Sequence, residues 1–100
     1  MKQSFHPMDR ETAETIGLNA IGFLASEPAR LAAFLSGSGM TLDVLHTQAG
    51  EPHVMAAALE ALLQNEPELL TFAAHSRHTV ADITRAQATL DPSARAERSI

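Results

Sequence analysis

Histidine is the residue type in this chain with the widest chemistry, because imidazole binds metal ions and exchanges protons near neutral pH. His75 and His78 are three positions apart, so their rings would lie one helical turn from each other in a continuous helix. Zinc commonly needs three or four ligands, and no cysteine or further close histidine completes the set. We therefore predict that the pair lies at an exposed helix end, where histidine complements the negative dipole, and that it binds no metal.

A second pair of histidines, His46 and His53, flanks a glycine-glutamate-proline corner at 50–52. The two rings could approach each other across that corner. We interpret both as solvated or corner-packing side chains rather than as metal ligands. His6 lies in the N-terminal lead-in, and we assign it no role.

Other arrangements that would support catalysis are missing or have a structural explanation. The Gly-Ser-Gly turn at 37–39 is shorter than a nucleophile elbow, and no predicted strand precedes it. Glu11 with Glu14, and Glu66 with Glu68, fall at predicted helix starts, where the macrodipole favours carboxylates. The sequence contains no phosphate loop, dinucleotide fingerprint or zinc-protease motif. It therefore predicts no catalytic residue and no cofactor, and we expect that the protein is not an enzyme.

Charge and composition narrow the class of protein further. Seven basic residues face twelve acidic ones, a net charge of −5, which repels phosphate and disfavours nucleic acid and anionic membranes. No uncharged stretch is longer than the twelve residues of 31–42, which is too short to span a bilayer, and the N-terminus lacks the apolar region of a secretion signal. The chain also has no cysteine. Together these features predict a soluble, cytoplasmic protein.

Alanine and leucine dominate the composition, and proline and glycine divide the chain into helical segments. An acidic residue precedes proline at four inferred boundaries. We predict an all-α fold, a compact bundle of five or six short helices. The predicted helices run over 9–25, 28–36, 41–49, 52–65, 66–75 and 79–90. We expect a flexible lead-in at 1–8, a single helical domain at 9–91 and a frayed tail at 92–100.

Two glycines interrupt the first predicted helix, Gly17 and Gly22. Each destabilises a helix by up to about 1 kcal/mol relative to alanine. We predict that another helix crosses closely at these positions.

The order of residues also suggests an internal repeat. Two glutamate-proline pairs thirty-nine positions apart are each followed by a phenylalanine, and Phe34 and Phe72 lie thirty-eight positions apart. Such a period is typical of tandem helical repeats. We predict two three-helix units, about 12–50 and 51–90, with the two phenylalanines in equivalent core positions.

A set of landmarks recurs in a known family. They are Leu24-Ala25-Ser26-Glu27, then Leu31, Phe34, Leu35, Ser38, Gly39, Met40 and Leu45, then Glu51-Pro52, and a second round of Ala58, Leu59, Leu62, Leu63, Glu66, Pro67, Leu70 and Phe72. With these landmarks the chain resembles a small uncharacterised bacterial family, domain of unknown function 3572, over roughly residues 12–90. The family usually has proline two positions after the residue matching Met40, where this chain has Leu42. The resemblance implies an all-helical domain and supplies no site residues.

Two functional hypotheses follow. The first is a non-catalytic interaction or adaptor module, whose leftover apolar surface takes a partner protein or a second copy of the chain. Met40, Val44 and Met55 are the candidates for that surface. The alternative is a small dimeric DNA-binding regulator, because helices 28–36 and 41–49 have the lengths of a helix-turn-helix. It would need a basic strip assembled from Arg77, Arg85, Arg95 and Arg98.

Overall fold

The computed structural model of the protein describes residues 8–91, which form six α-helices and no strand. The helices are α1 (Arg10–Ala25), α2 (Pro28–Ser38), α3 (Leu42–Thr47), α4 (Pro52–Leu63), α5 (Glu66–Ser76) and α6 (Val80–Leu90). The prediction of an all-α bundle is therefore confirmed. The predicted tail, and the predicted lead-in apart from Met8, lie outside the described residues.

Proline and glycine set the helix boundaries. Pro28 and Pro52 are the first residues of α2 and α4, where the missing N–H of proline has no partner to lose. Helix α2 runs two residues beyond its predicted end, because Gly37 stays helical and Gly39 takes the left-handed conformation (φ 75°) that ends the helix. The N–H of Gly39 donates a hydrogen bond to the carbonyl of Leu35.

Helices α1, α4 and α6 pack against one another and form the centre of the bundle. Their inward faces carry apolar side chains at helical spacing, each removed from water. These residues are Ala13, Ile16, Ala20, Val54, Met55, Ala58, Leu59, Leu62, Ile83, Ala86 and Leu90. Burying one leucine or isoleucine side chain contributes about 1.5–3 kcal/mol, so this centre supplies most of the hydrophobic stabilisation. Helix α2 covers α1 and α4, and α5 covers all three central helices.

The crossing of α1 and α4 explains one of the two glycines of α1. A Cβ atom on Gly17 would lie 2.7 Å from the Cβ of Met55, so α4 passes too close for any larger residue. The predicted close crossing is therefore confirmed at Gly17 and wrong at Gly22, where a Cβ would meet nothing within 4 Å. The same contact makes the surface assignment of Met55 wrong, since its side chain is 1% exposed.

The two predicted repeat units are not confirmed. Their third helices would be α3 and α6, but α3 has 6 residues and α6 has 11. Helix α6 packs along α1 and α4, whereas α3 packs closely along no other helix in the described part of the chain. Phe34 and Phe72 are both buried, yet they contact different surroundings.

Helix α6 begins with a side-chain cap that is open to a direct test. The hydroxyl of Thr79 accepts a hydrogen bond from the backbone N–H of Asp82, at 3.0 Å. We expect Thr79→Ala to lower the free energy of unfolding by about 1 kcal/mol in urea denaturation, because that N–H loses its partner. The control is Thr84→Ala in the same helix, where the hydroxyl bonds only to the Val80 carbonyl and its loss should be close to neutral. Equal losses in the two variants would contradict the capping role.

None of the helices in residues 8–91 is both long and apolar enough to cross a lipid bilayer.

Candidate functional surfaces

The prediction of an exposed helix end is confirmed for His75, which is exposed in the last turn of α5. Helix α5 ends at Ser76, and Arg77 follows in the left-handed conformation (φ 64°), so no helix runs through both histidines. His78 lies in the turn before α6, with its Nε2 atom 3.3 Å from the amide nitrogen of Asn19. That distance allows the asparagine amide to donate a hydrogen bond to a neutral imidazole.

Both histidines pack against a pair of phenylalanines that joins α1 to α5. The rings of Phe23 and Phe72 have their centroids 5.3 Å apart and are tilted by 51°. His75 lies 6.3 Å from the ring of Phe23, and His78 lies 6.4 Å from the ring of Phe72. These are favourable separations for aromatic pairs. The histidines therefore have packing partners, which accounts for their position without a ligand.

Arg30 holds α2 against the same cluster. Its guanidinium carbon lies 4.1 Å above the centre of the Phe23 ring, within the range of a cation–π interaction. Its Nε donates a hydrogen bond of 2.7 Å to Glu68 of α5, and its side chain is 16% exposed. A third contact runs to the hydroxyl of Ser26, at 3.3 Å. With these partners, Arg30 serves to join three helices.

A shallow depression of about 390 Å³ lies between α1 and α5 beside these rings. Its polar lining includes Ser26 and Ser76, whose hydroxyls donate hydrogen bonds of 2.6 and 2.7 Å to the carbonyls of Phe23 and Phe72. Both hydroxyls therefore have backbone acceptors within their own helices. The lining includes no carboxylate that could act with His75 as an acid–base pair.

The second histidine pair lies at the other corner that the sequence singled out. His46 is in the last turn of α3 and His53 is the second residue of α4, and both are exposed. Over residues 8–91, no group of three histidine, aspartate or glutamate side chains is placed to hold a metal ion.

A groove between α2 and α4 is the feature that the sequence analysis missed. It consists of two adjoining depressions of about 410 and 300 Å³, which share Ala33, Phe34 and Ala61. Phe34 is 5% exposed and forms part of the lining. Small residues at four-residue spacing form the two walls: Ala29, Ala33 and Gly37 on α2, and Ala57 and Ala61 on α4. We call this feature the α2–α4 groove.

The outer side of α2 carries no charge. Its only charged residue is Arg30, which is bonded to Glu68. The exposed positions of the helix are Pro28, Ala29, Ala32, Ala33, Ser36, Gly37 and Ser38. A surface helix normally presents charged residues to water. The uncharged stretch 31–42 covers most of α2, but 15–26 in α1 is equally long, so the sequence alone does not single out this surface.

The rim of the groove is acidic, as is the described chain as a whole. Glu27, Glu60 and Glu68 line the groove against one basic residue, Arg30. Residues 8–91 contain four arginines and no lysine against eleven acidic residues. Three of those arginines form ion pairs, which are Arg10–Glu14, Arg30–Glu27, Arg30–Glu68 and Arg85–Asp82.

The basic strip required for DNA binding is only partly within the described residues. Arg77 caps the C-terminal end of α5, and Arg85 pairs with Asp82 at 3.1 Å. Arg95 and Arg98 lie outside the part of the chain that the structure describes. The helix that would enter the major groove, α3, has 6 residues with Asp43 in its first turn.

Comparison with known proteins identifies the family. No curated protein and no solved structure matched the chain. The profile of one family, described as a protein of unknown function (DUF3572), matches residues 10–93. That range begins at the first residue of α1 and includes all six helices. The chain therefore belongs to the DUF3572 family of proteins of unknown function.

Proposed function

We propose that the protein is a non-catalytic interaction module of the cytoplasm, which binds a helical segment of a partner protein in the α2–α4 groove. The observation that carries this proposal is the exposed, charge-free side of α2 beside a groove that reaches Phe34. Docking there displaces water from apolar surface without removing the hydration shell of any charge on α2. The desolvation penalty of binding on α2 is therefore small.

The walls of the groove suit a helical partner. Alanine and glycine occupy positions where longer side chains would hold a second helix away, namely Ala33, Gly37 and Ala61. Helices that bind in grooves insert apolar side chains at i, i+3, i+4 and i+7, and such a face matches two parallel walls of helical spacing. The groove lies directly on the core, since its α4 wall belongs to a central helix and the buried residues Phe34 and Leu62 form part of its lining.

The DNA-binding alternative receives less support from the same residues. A DNA-binding face needs cations to neutralise phosphates. Arg85, the one arginine of α6, already pairs with Asp82. We therefore keep the interaction module as the proposal.

A site-specific crosslink tests this proposal. We expect a photoreactive amino acid at position 33, in the groove wall, to crosslink one discrete protein when the full chain is expressed in its native cells. The matched control is position 81, an exposed alanine of α6 outside the groove lining, where no such product should form. Equal crosslinking at both positions, or none at position 33, would refute the proposed surface.

A further inference from the structure

We infer that the natural occupant of the α2–α4 groove is an amphipathic helix of another protein, with a small apolar face flanked by lysine or arginine. This inference rests on the proposed function and names the chemistry of the partner. It is carried by the length of the groove, the composition of its walls and the charge of its rim.

The length of the groove fits a short helix. Its wall on α2 runs from Ala29 to Gly37, nine residues, or about 12 Å along the helix axis. A partner helix of about three turns covers this distance and inserts two or three apolar side chains toward Phe34.

The charge of the rim selects a basic partner. Three rim carboxylates, Glu27, Glu60 and Glu68, face one guanidinium. Arg30 pairs with Glu68 at 2.7 Å and more loosely with Glu27, so two negative charges remain in excess. The side chain of Glu27 is 64% exposed and lies 4.0 Å from Arg30, while Glu60 is exposed on the wall of α4. Cations on both flanks of a docked helix would meet these two carboxylates. Such rim contacts mainly raise the association rate and discriminate against acidic partners.

The same charges argue against a second copy of the chain as the occupant. In a two-fold symmetric dimer the same surface patch is used on both subunits, so the acidic rim would face itself. Residues 8–91 carry eleven acidic residues against four arginines, so two copies also repel each other as whole bodies. A basic helix of a different protein meets neither obstacle.

Two designed peptides test the inference. Both are helices of about fourteen residues with the same leucine and alanine face. One carries lysine on its flanks and the other glutamate. We expect the full-length protein to bind the lysine peptide at least tenfold more tightly in fluorescence anisotropy, with an affinity that falls as salt is raised.

Reversing the rim charge should reverse the preference. In the double variant Glu27→Lys, Glu60→Lys, we expect the lysine peptide to lose at least tenfold in affinity and the glutamate peptide to gain. The control variant is Glu11→Lys, Glu51→Lys, which has the same net charge and leaves the groove unchanged. Glu51 matches Glu27 because each precedes the first proline of a helix. The control should retain the preference for lysine.

Each contrary outcome has a definite meaning. Equal affinity for the two peptides, failure of both to bind, or a preference that follows net charge in the control variant would overturn the inference of a basic partner. A protein crosslink at position 33 would still stand in those cases, so the proposed function would survive. Concentration-dependent dimers in sedimentation that Ala33→Glu abolishes would assign the groove to a second copy, and would overturn the inference as well.

Discussion

Phe72→Ala is expected to lower the free energy of unfolding by about 3–5 kcal/mol. The Phe72 side chain is 1% exposed, and its ring packs against Phe23 at 5.3 Å. Truncation removes the apolar area that the ring buries and leaves a cavity where α5 meets the central helices. It also removes an aromatic pair, which contributes about 0.5–1.5 kcal/mol beyond area burial.

The measurement is urea denaturation followed by circular dichroism. The slope of the free energy of unfolding against urea concentration is also compared between the variants. Leu70→Ala is the matched control, because Leu70 lies two residues away on α5 and is 52% exposed. We expect its effect to stay within about 0.5 kcal/mol. A typical domain has only about 5–15 kcal/mol of stability, so Phe72→Leu serves as a milder variant if the alanine protein is partly unfolded. A near-neutral Phe72→Ala would show that α5 contributes little to the fold.

The two glycines of α1 should respond to alanine in opposite directions. Gly17→Ala places a Cβ 2.7 Å from the Met55 Cβ and 3.1 Å from its Cγ, so α1 and α4 must move apart. Overpacking of this kind costs about 1–3 kcal/mol. Gly22→Ala meets nothing within 4 Å, so it should stabilise the protein by up to about 1 kcal/mol through helix propensity alone.

Comparison of the Gly17→Ala and Gly22→Ala variants isolates the free-energy cost of the steric clash at Gly17. Both variants gain the same helix propensity in the same helix, so the difference between their free energies of unfolding reports the crossing of α1 and α4. We expect that difference to be about 1–3 kcal/mol in thermal or urea denaturation. If Gly17→Ala were as stabilising as Gly22→Ala, the close approach of the helices would be refuted.

The groove shows how much of a candidate site a sequence can indicate. The uncharged stretch 31–42 covers most of α2, but it does not distinguish this helix from α1, whose stretch 15–26 is equally long. The other wall comes from Ala57 and Ala61 of α4, which look like core residues in an apolar helix. Only the packing of α2 on α4 shows that these alanines line a surface, because exposure depends on which elements cover a residue.

The histidines show where local signals end. The predicted end of the fifth helix near His75 and the predicted start of the next helix at Thr79 agree with the structure. The sequence did not indicate what the two imidazoles contact. Those contacts include α1 residues more than fifty positions away, Asn19 and Phe23.

From sequence alone we predicted the all-α class, five or six helices and their approximate ends. Proline at Pro28 and Pro52, glycine at Gly39 and the cap at Thr79 act through neighbouring backbone atoms, so these signals are local. Which helices form the centre and which flank the groove depends on tertiary packing. Those contacts join residues far apart in the chain, and several helix arrangements satisfy the same apolar periodicity. For that reason the repeated spacing of phenylalanines is not confirmed as two equivalent units, and Met55, expected at a surface, lies in the close crossing of α1 and α4.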